Sequence, residues 1–366
     1  MITQESIVDN KTWRYSLLFV LLGLLFFNLN TPLWGNMLLA YGSFFHAGSY
    51  VEFPEVVWQA DYIRGPIYKL LMYGMMKWSL LYTGMSNYGL FQFITKISYY
   101  VMMLSATWIF SYKALHFNKN QITVLWASTW IILQLTGYRT FMESEELAVI
   151  FALMHVVFLI SKKPIFNYLS GLFLLLLIGC KAITIFYAGF GFLFWLCMIN
   201  DSAKSKRIII SHLSGIVLIV LLYSTVLSQE IDNLKEAMEL QGSAKISGLT
   251  SLKKFSIAYI KNIPYNPTQL FILLSLPLLV LHFNIKNMVL ILGSFVIAAM
   301  AVILQNRFSS PYHFLSFIPV AILIYWLFFT TYKNWLNLLL IGCLGWIVYI
   351  NFSSSPILNK IVSNKL

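Results

Sequence analysis

The chain has 366 residues, of which 59% are hydrophobic and only 10% charged, with a mean hydropathy of +0.75. A composition this poor in polar groups excludes a water-soluble globule and points to an all-α polytopic membrane protein. The net charge of +12 sits largely in short loops between apolar runs. It therefore marks topology, and nucleic acid is excluded as a partner.

Apolar runs of membrane-crossing length fall at 15–31, 91–115, 121–137, 147–161, 166–180, 182–199, 207–227, 268–283, 287–304, 313–330 and 334–351. These predict about 11 transmembrane helices in a single transmembrane domain, 1–366, with no internal repeat or linker. The first run follows a mixed-charge tail, lacks a small-residue cleavage site and reads as a retained span.

Basic residues fix the orientation. Lys113 and Lys119, Lys162 and Lys163, Lys204, Lys206 and Arg207, Lys286, and Lys333 lie on alternate sides of successive spans, which predicts that these connections are cytoplasmic. Of the 13 acids, only Glu5, Asp9 and Asp201 share that side. The opposite, external face is therefore the polar one.

The first external loop, 32–90, gathers Glu52, Glu55, Asp61 and Arg64 in a chain otherwise nearly free of charge. Charged groups beside lipid are costly without partners or a task, so a functional site is expected here. Arg64-Gly65-Pro66 sets a guanidinium just before a helix whose proline suits the first turn. Such an arginine can hold a phosphate with two parallel hydrogen bonds or pair with Asp61 one turn away. The stretch 66–84, interrupted by Lys69, Gly74 and Lys77, suits an interfacial helix better than a full crossing.

Glu143, Glu145 and Glu146 precede the fourth span, where acids also favour a helix start. Lys181, in Gly179-Cys180-Lys181-Ala182, stands between the fifth and sixth runs, placed either to snorkel or to meet a lipid phosphate. The long external loop 228–266 carries a candidate amphipathic surface helix with Ile231, Leu234 and Met238 on one face. Arg307, Tyr312 and His313 form a late external group suited to phosphate or sugar. Cys180, Cys197 and Cys343 are isolated in apolar runs and read as packing residues.

The order of these groups, and their common side, resembles the GT-C superfamily of membrane glycosyltransferases, nearest its lipid-linked aminoarabinose and protein-mannosyl transferase branches. The resemblance covers most of residues 12–330. It implies external loops and interfacial helices around a site that takes a sugar from a polyprenyl-phosphate donor to a glycan, lipid or protein acceptor. Arg64 falls where the family's Lys-Pro-Pro step carries its phosphate-binding lysine, Lys181 resembles the lysine after the fifth span, and Arg307 with Tyr312 resembles the late motif. The family's first-loop aspartate position holds Asn36, and a neutral amide cannot act as a general base. Asp61 is the expected replacement, with Glu55, Glu52 and Glu143 as alternatives.

No metal-ligand spacing is evident, so the metal set stays unknown and a divalent ion shared by Asp61 and a second-loop glutamate is the one cofactor left open. A bacterial inner membrane, with the site facing the periplasm or exterior, fits the short loops. A cell-surface polysaccharide polymerase, a lipid-linked glycan flippase and a non-catalytic relative are the alternative readings.

Overall fold

The computed structural model describes residues 65–83, 144–181, 186–221, 248–281, 284–305 and 316–353, with a few isolated positions besides. Among the described residues the chain is all helical, with nine α-helices and no strand: α1 Pro66–Thr83, α2 Ser144–Ile160, α3 Pro164–Cys180, α4 Ala188–Met198, α5 Ser202–Leu221, α6 Gly248–Asn262, α7 Pro267–Leu281, α8 Ile285–Gln305 and α9 Ile318–Ser353.

Local chemistry explains where several of these helices begin. Pro66, Pro164 and Pro267 occupy the first turns of α1, α3 and α7, where the missing N–H has no intrahelical acceptor to lose. Lys163, before Pro164, is extended as the proline ring requires. Asp201 Oδ1 accepts the amides of Ala203 and Lys204 at the head of α5, and Asn284 Oδ1 accepts that of Lys286 at the head of α8.

α3 packs against α2, α5 and α1, while α4 bridges α2 to α8 and α7 lies along α9. The α3–α5 crossing is close because its residues are small. A Cβ added to Gly171 would lie 2.2 Å from the Ser211 carbonyl oxygen, and one added to Gly215 would lie 2.8 Å from that of Gly171. Ser211 Oγ accepts the Gly171 amide at 2.8 Å and donates to the Tyr168 carbonyl at 2.6 Å. Small residues and interhelical hydroxyl bonds are what hold helices together where apolar burial supplies little drive.

α5 has its polarity turned inside out. Ile208, Ser211 and Gly215 face inward, whereas Ile209, Ile210, Leu213, Ile216, Val217, Leu218, Val220 and Leu221 are exposed. An apolar outer face of this extent suits lipid and is unfavourable in water. Ile285–Ile303 of α8 is the one described stretch long and apolar enough to cross a membrane, at 19 residues. Leu147–Ile160, Pro164–Cys180, Ala188–Cys197 and Thr268–Leu281 are shorter apolar helices.

The carbonyls at the end of α2 find acceptable partners across the chain. Asn167 Nδ2 shares its two N–H groups among the carbonyls of Phe158, Leu159 and Ser161, and Lys204 Nζ donates to that of Ile160. Burial holds the Lys204 ammonium below its ordinary range, and the nearby Arg207 adds to this. Ser170 Oγ, which donates to the Asn167 carbonyl, also meets Ser211 Oγ at 3.1 Å, and the Ser170 carbonyl lies 2.9 Å from His155 Nδ1. His155 is fully buried, with its ring edge-on to His212 at 5.0 Å.

One expectation is revised. The apolar runs 313–330 and 334–351 were expected to be separate helices, but α9 continues through Lys333 as one 36-residue run. It is not straight. At 1.5 Å per residue, Ile318 and Trp346 would stand about 42 Å apart, yet Phe317 lies 5.2 Å from Tyr259 ring to ring and Trp346 Nε1 lies 3.1 Å from the Pro264 carbonyl, just beyond Tyr259 in the chain. Side-chain reach does not make up that difference, so the run bends between the two contacts. Within 228–266 the helix described is α6, which turns Phe255 and Tyr259 toward Phe295, Phe314 and Phe317; the expected helix around 230–240 lies outside the described residues.

Replacing Asn167 by leucine should remove the side-chain donor to the Phe158, Leu159 and Ser161 carbonyls and lower stability by about 1–3 kcal/mol. Leu213→Ala, on the exposed face of α5, should change it by less than about 0.5 kcal/mol. Denaturant unfolding in one detergent measures both.

Candidate functional site

Gly65 and Gly179 touch. The head of α1 and the tail of α3 approach so closely that a Cβ on Gly65 would lie 2.3 Å from the Gly179 carbonyl oxygen, and a Cβ on Gly179 would lie 2.4 Å from Ile67 Cγ1. Only glycine leaves space at both positions. The contact is completed by a backbone hydrogen bond of 2.8 Å from the Gly65 amide to the Cys180 carbonyl.

The bond settles two backbone groups at once. The last carbonyls of a helix have no intrahelical partner, and Cys180 ends α3. The Gly65 amide, just ahead of α1, satisfies one of them, while the Gly65 carbonyl accepts the Lys69 amide and opens α1. Lys181 follows at once in an extended conformation, with φ −168° and ψ 133°, so the chain leaves α3 at this point. The residue after Arg64 is thus bonded to the residue before Lys181. The bond joins two segments far apart in sequence, the head of α1 and the tail of α3.

Lys181 is half-buried. Lys69, one turn into α1, is fully buried beside Tyr68, Met72 and Met76. Lys69 interrupts an apolar run in the sequence yet is buried in the interior, whereas Lys77 is exposed with its ammonium 5.6 Å from the Tyr73 ring. A period of three to four residues linking Tyr68, Lys69, Met72 and Met76 is the signal that identifies this face. α1 carries no acid in its first turn, so its positive end is not offset from within the helix.

Of the other expected site residues, Asp61, Glu55, Glu143, Arg64, Arg307, Tyr312 and His313 lie outside the described residues, as does Asn36. Glu145 and Glu146 lie in the first turn of α2, directly after the buried Ser144. Among the described residues there is no group of three or more His, Cys, Asp or Glu side chains placed to hold a metal ion. The acids proposed to share a divalent ion are not among them.

Comparison with protein-family models, with curated proteins and with solved structures finds no match.

Gly65→Ala should force the α1 and α3 backbones apart and cost about 1–3 kcal/mol as overpacking. Gly74→Ala, in open space on the same helix, should be neutral or slightly stabilising through its gain in helix propensity. Thermal unfolding of the two variants side by side checks that the close contact, and not loss of glycine as such, is responsible.

Proposed function

We propose that the protein is a multi-pass membrane glycosyltransferase of GT-C type, which moves a sugar from a polyprenyl-phosphate donor to a glycan, lipid or protein acceptor on the external face. The observation that carries this reading is the Gly65–Cys180 backbone bond. It supports a shared phosphate site for Arg64 and Lys181, the two cations that the family resemblance assigns to the donor phosphate. The exposed apolar face of α5 supports the membrane setting.

In this mechanism the Asp61 carboxylate takes the proton of the acceptor hydroxyl as its oxygen attacks the anomeric carbon. The bond between that carbon and the phosphate oxygen breaks, and the polyprenyl phosphate leaves with the electron pair. Arg64 and Lys181 bind its oxygens, Arg307 adds a third cation, and Tyr312 and His313 hydrogen-bond the departing phosphate or the sugar being transferred. The positive end of α1 strengthens the same field. A divalent ion, if bound by Asp61 and Glu143, would supply further charge neutralisation.

The bacterial plasma membrane is the proposed location, with about 11 spans and the loops bearing Lys162, Lys204 and Lys286 in the cytoplasm. Ala203, exposed at the head of α5, offers a direct check. Ala203→Cys, with Cys180, Cys197 and Cys343 replaced by alanine, should react with an impermeant thiol reagent only after the membrane is opened. Reaction in intact cells would invert the topology.

Arg64→Ala and Lys181→Ala should each weaken donor use by about tenfold or more, since charge-assisted phosphate contacts are strong in a site shielded from water. Arg64→Lys should recover only part, because the paired donor geometry is lost. Asp61→Asn should abolish turnover with donor binding retained. Transfer assays with a polyprenyl-phosphate sugar read these outcomes, and activity in Asp61→Asn together with its loss in Glu55→Gln or Glu143→Gln would move the base to the other acid.

A further inference from the structure

The head of α7 holds four buried side-chain atoms without hydrogen-bond partners. They are Asn266 Nδ2, Thr268 Oγ1, and both Nε2 and Oε1 of Gln269, on residues that are 1%, 1% and 0% exposed. Buried polar groups are rarely left unmet, because each one forfeits the hydrogen bonds it makes with water. Four on three residues of one helical turn call for a ligand.

The backbone here excludes an anion cradle. Pro267 has no N–H, the amides of Thr268 and Gln269 are taken by Asn266 Oδ1 at 3.0 and 3.3 Å, the Leu270 amide bonds to the Asn266 carbonyl, and the Asn266 amide bonds to that of Ile263. The donors that a phosphate would use at a helix N-terminus are therefore occupied from within. Neutral amide and hydroxyl groups remain, offering donors and acceptors side by side. A ligand that answers them bears both kinds of group and no charge, as the hydroxyls of a sugar ring do.

A second observation agrees. Trp346 Nε1 donates to the Pro264 carbonyl at 3.1 Å, which fixes its indole against the turn that leads into α7. Tyr349 lies 5.9 Å from it, ring to ring, and both are well exposed. Large aromatic faces beside a few polar groups are the usual lining of a small-molecule site.

We infer that the turn from Ile263 to Gln269 is a binding site for a neutral sugar, with Asn266, Thr268 and Gln269 taking its hydroxyls and Trp346 standing beside it. The inference rests on the glycosyltransferase reading for the choice of a sugar over other uncharged polyols, and it places that sugar on an element other than the α1–α3 contact.

The test uses the full chain in lipid nanodiscs, free of sugar-based detergent, with methyl glycosides of glucose, galactose, mannose, arabinose and N-acetylglucosamine as probes and inorganic phosphate as the contrast. At least one glycoside should raise the melting temperature at millimolar concentration, and phosphate should not do so through this site. Gln269→Leu and Thr268→Val, which remove the unmet groups at similar volume, should weaken that glycoside at least tenfold while melting no lower than wild type when unliganded. Trp346→Phe should weaken it with the turn intact.

If no glycoside stabilises the wild type, or if Gln269→Leu binds as wild type does, the inference fails. Variants that melt lower and show no glycoside effect would assign these groups to ordered water. Glycoside binding without sugar transfer from any polyprenyl-phosphate donor would keep this site and remove the transferase, whereas transfer untouched by Gln269→Leu, with no glycoside bound, would do the reverse.

Discussion

α3 is tied by polar groups at both ends, and the elements around the candidate site take their positions from it. At its start, Asn167 reaches back to the carbonyls that end α2, while Ser170 and Gly171 meet Ser211 of α5. At its finish, the Cys180 carbonyl receives the Gly65 amide. Backbone groups at helix ends have no partner within the helix, and in an apolar setting each unmet one is expensive. Meeting them from neighbouring helices therefore fixes where α2, α5 and α1 sit. The approach of Gly65 to Gly179 follows from this, since a side chain at either position would hold the two backbones beyond hydrogen-bonding distance.

The same economy of polar groups governs the interior. His155, Ser170 and Ser211 are fully or nearly fully buried between α2, α3 and α5, and the outward residues of α5 are almost all aliphatic. A water-soluble bundle would have these faces exchanged. Close crossings through small residues, such as that of Gly171 with Ser211 and Gly215, supply contact and hydrogen bonds where the hydrophobic effect does not distinguish protein from lipid. The α1–α3 contact belongs to this class, with Gly65 and Gly179 as its small residues and a backbone hydrogen bond in place of a hydroxyl one.

Much of the helical framework was legible because its signals are local. α2, α3, α7 and α8 begin and end within a few residues of the apolar runs that announce them, and the Pro and Asx starts agree. α4 is shorter than the run 182–199 that contains it, since apolar length alone does not locate a helix start. The continuation of α9 through Lys333 was not legible, because one lysine is compatible with both a loop and a helix. α6 has a local signal in Ser251, Phe255, Tyr259 and Asn262, which recur at helical spacing, but the lysines and serines among them leave no apolar run of the kind that announces the other helices. The network of His155, Asn167, Ser170 and Ser211 had no local signal at all: its members are lone polar residues in separate runs, gathered only by packing. Arg64-Gly65-Pro66 and Gly179-Cys180-Lys181 were each readable as motifs, but their meeting is a tertiary fact that neither motif contains.

The central claim is that this meeting point holds a lipid phosphate. A structure determined by electron cryomicroscopy with polyprenyl phosphate bound tests it most directly. The account predicts the phosphate at the head of α1, within hydrogen-bonding reach of Lys181 Nζ and the Arg64 guanidinium, with the Gly65–Cys180 bond intact. A phosphate bound elsewhere, with Lys181 turned to solvent or lipid, would contradict it.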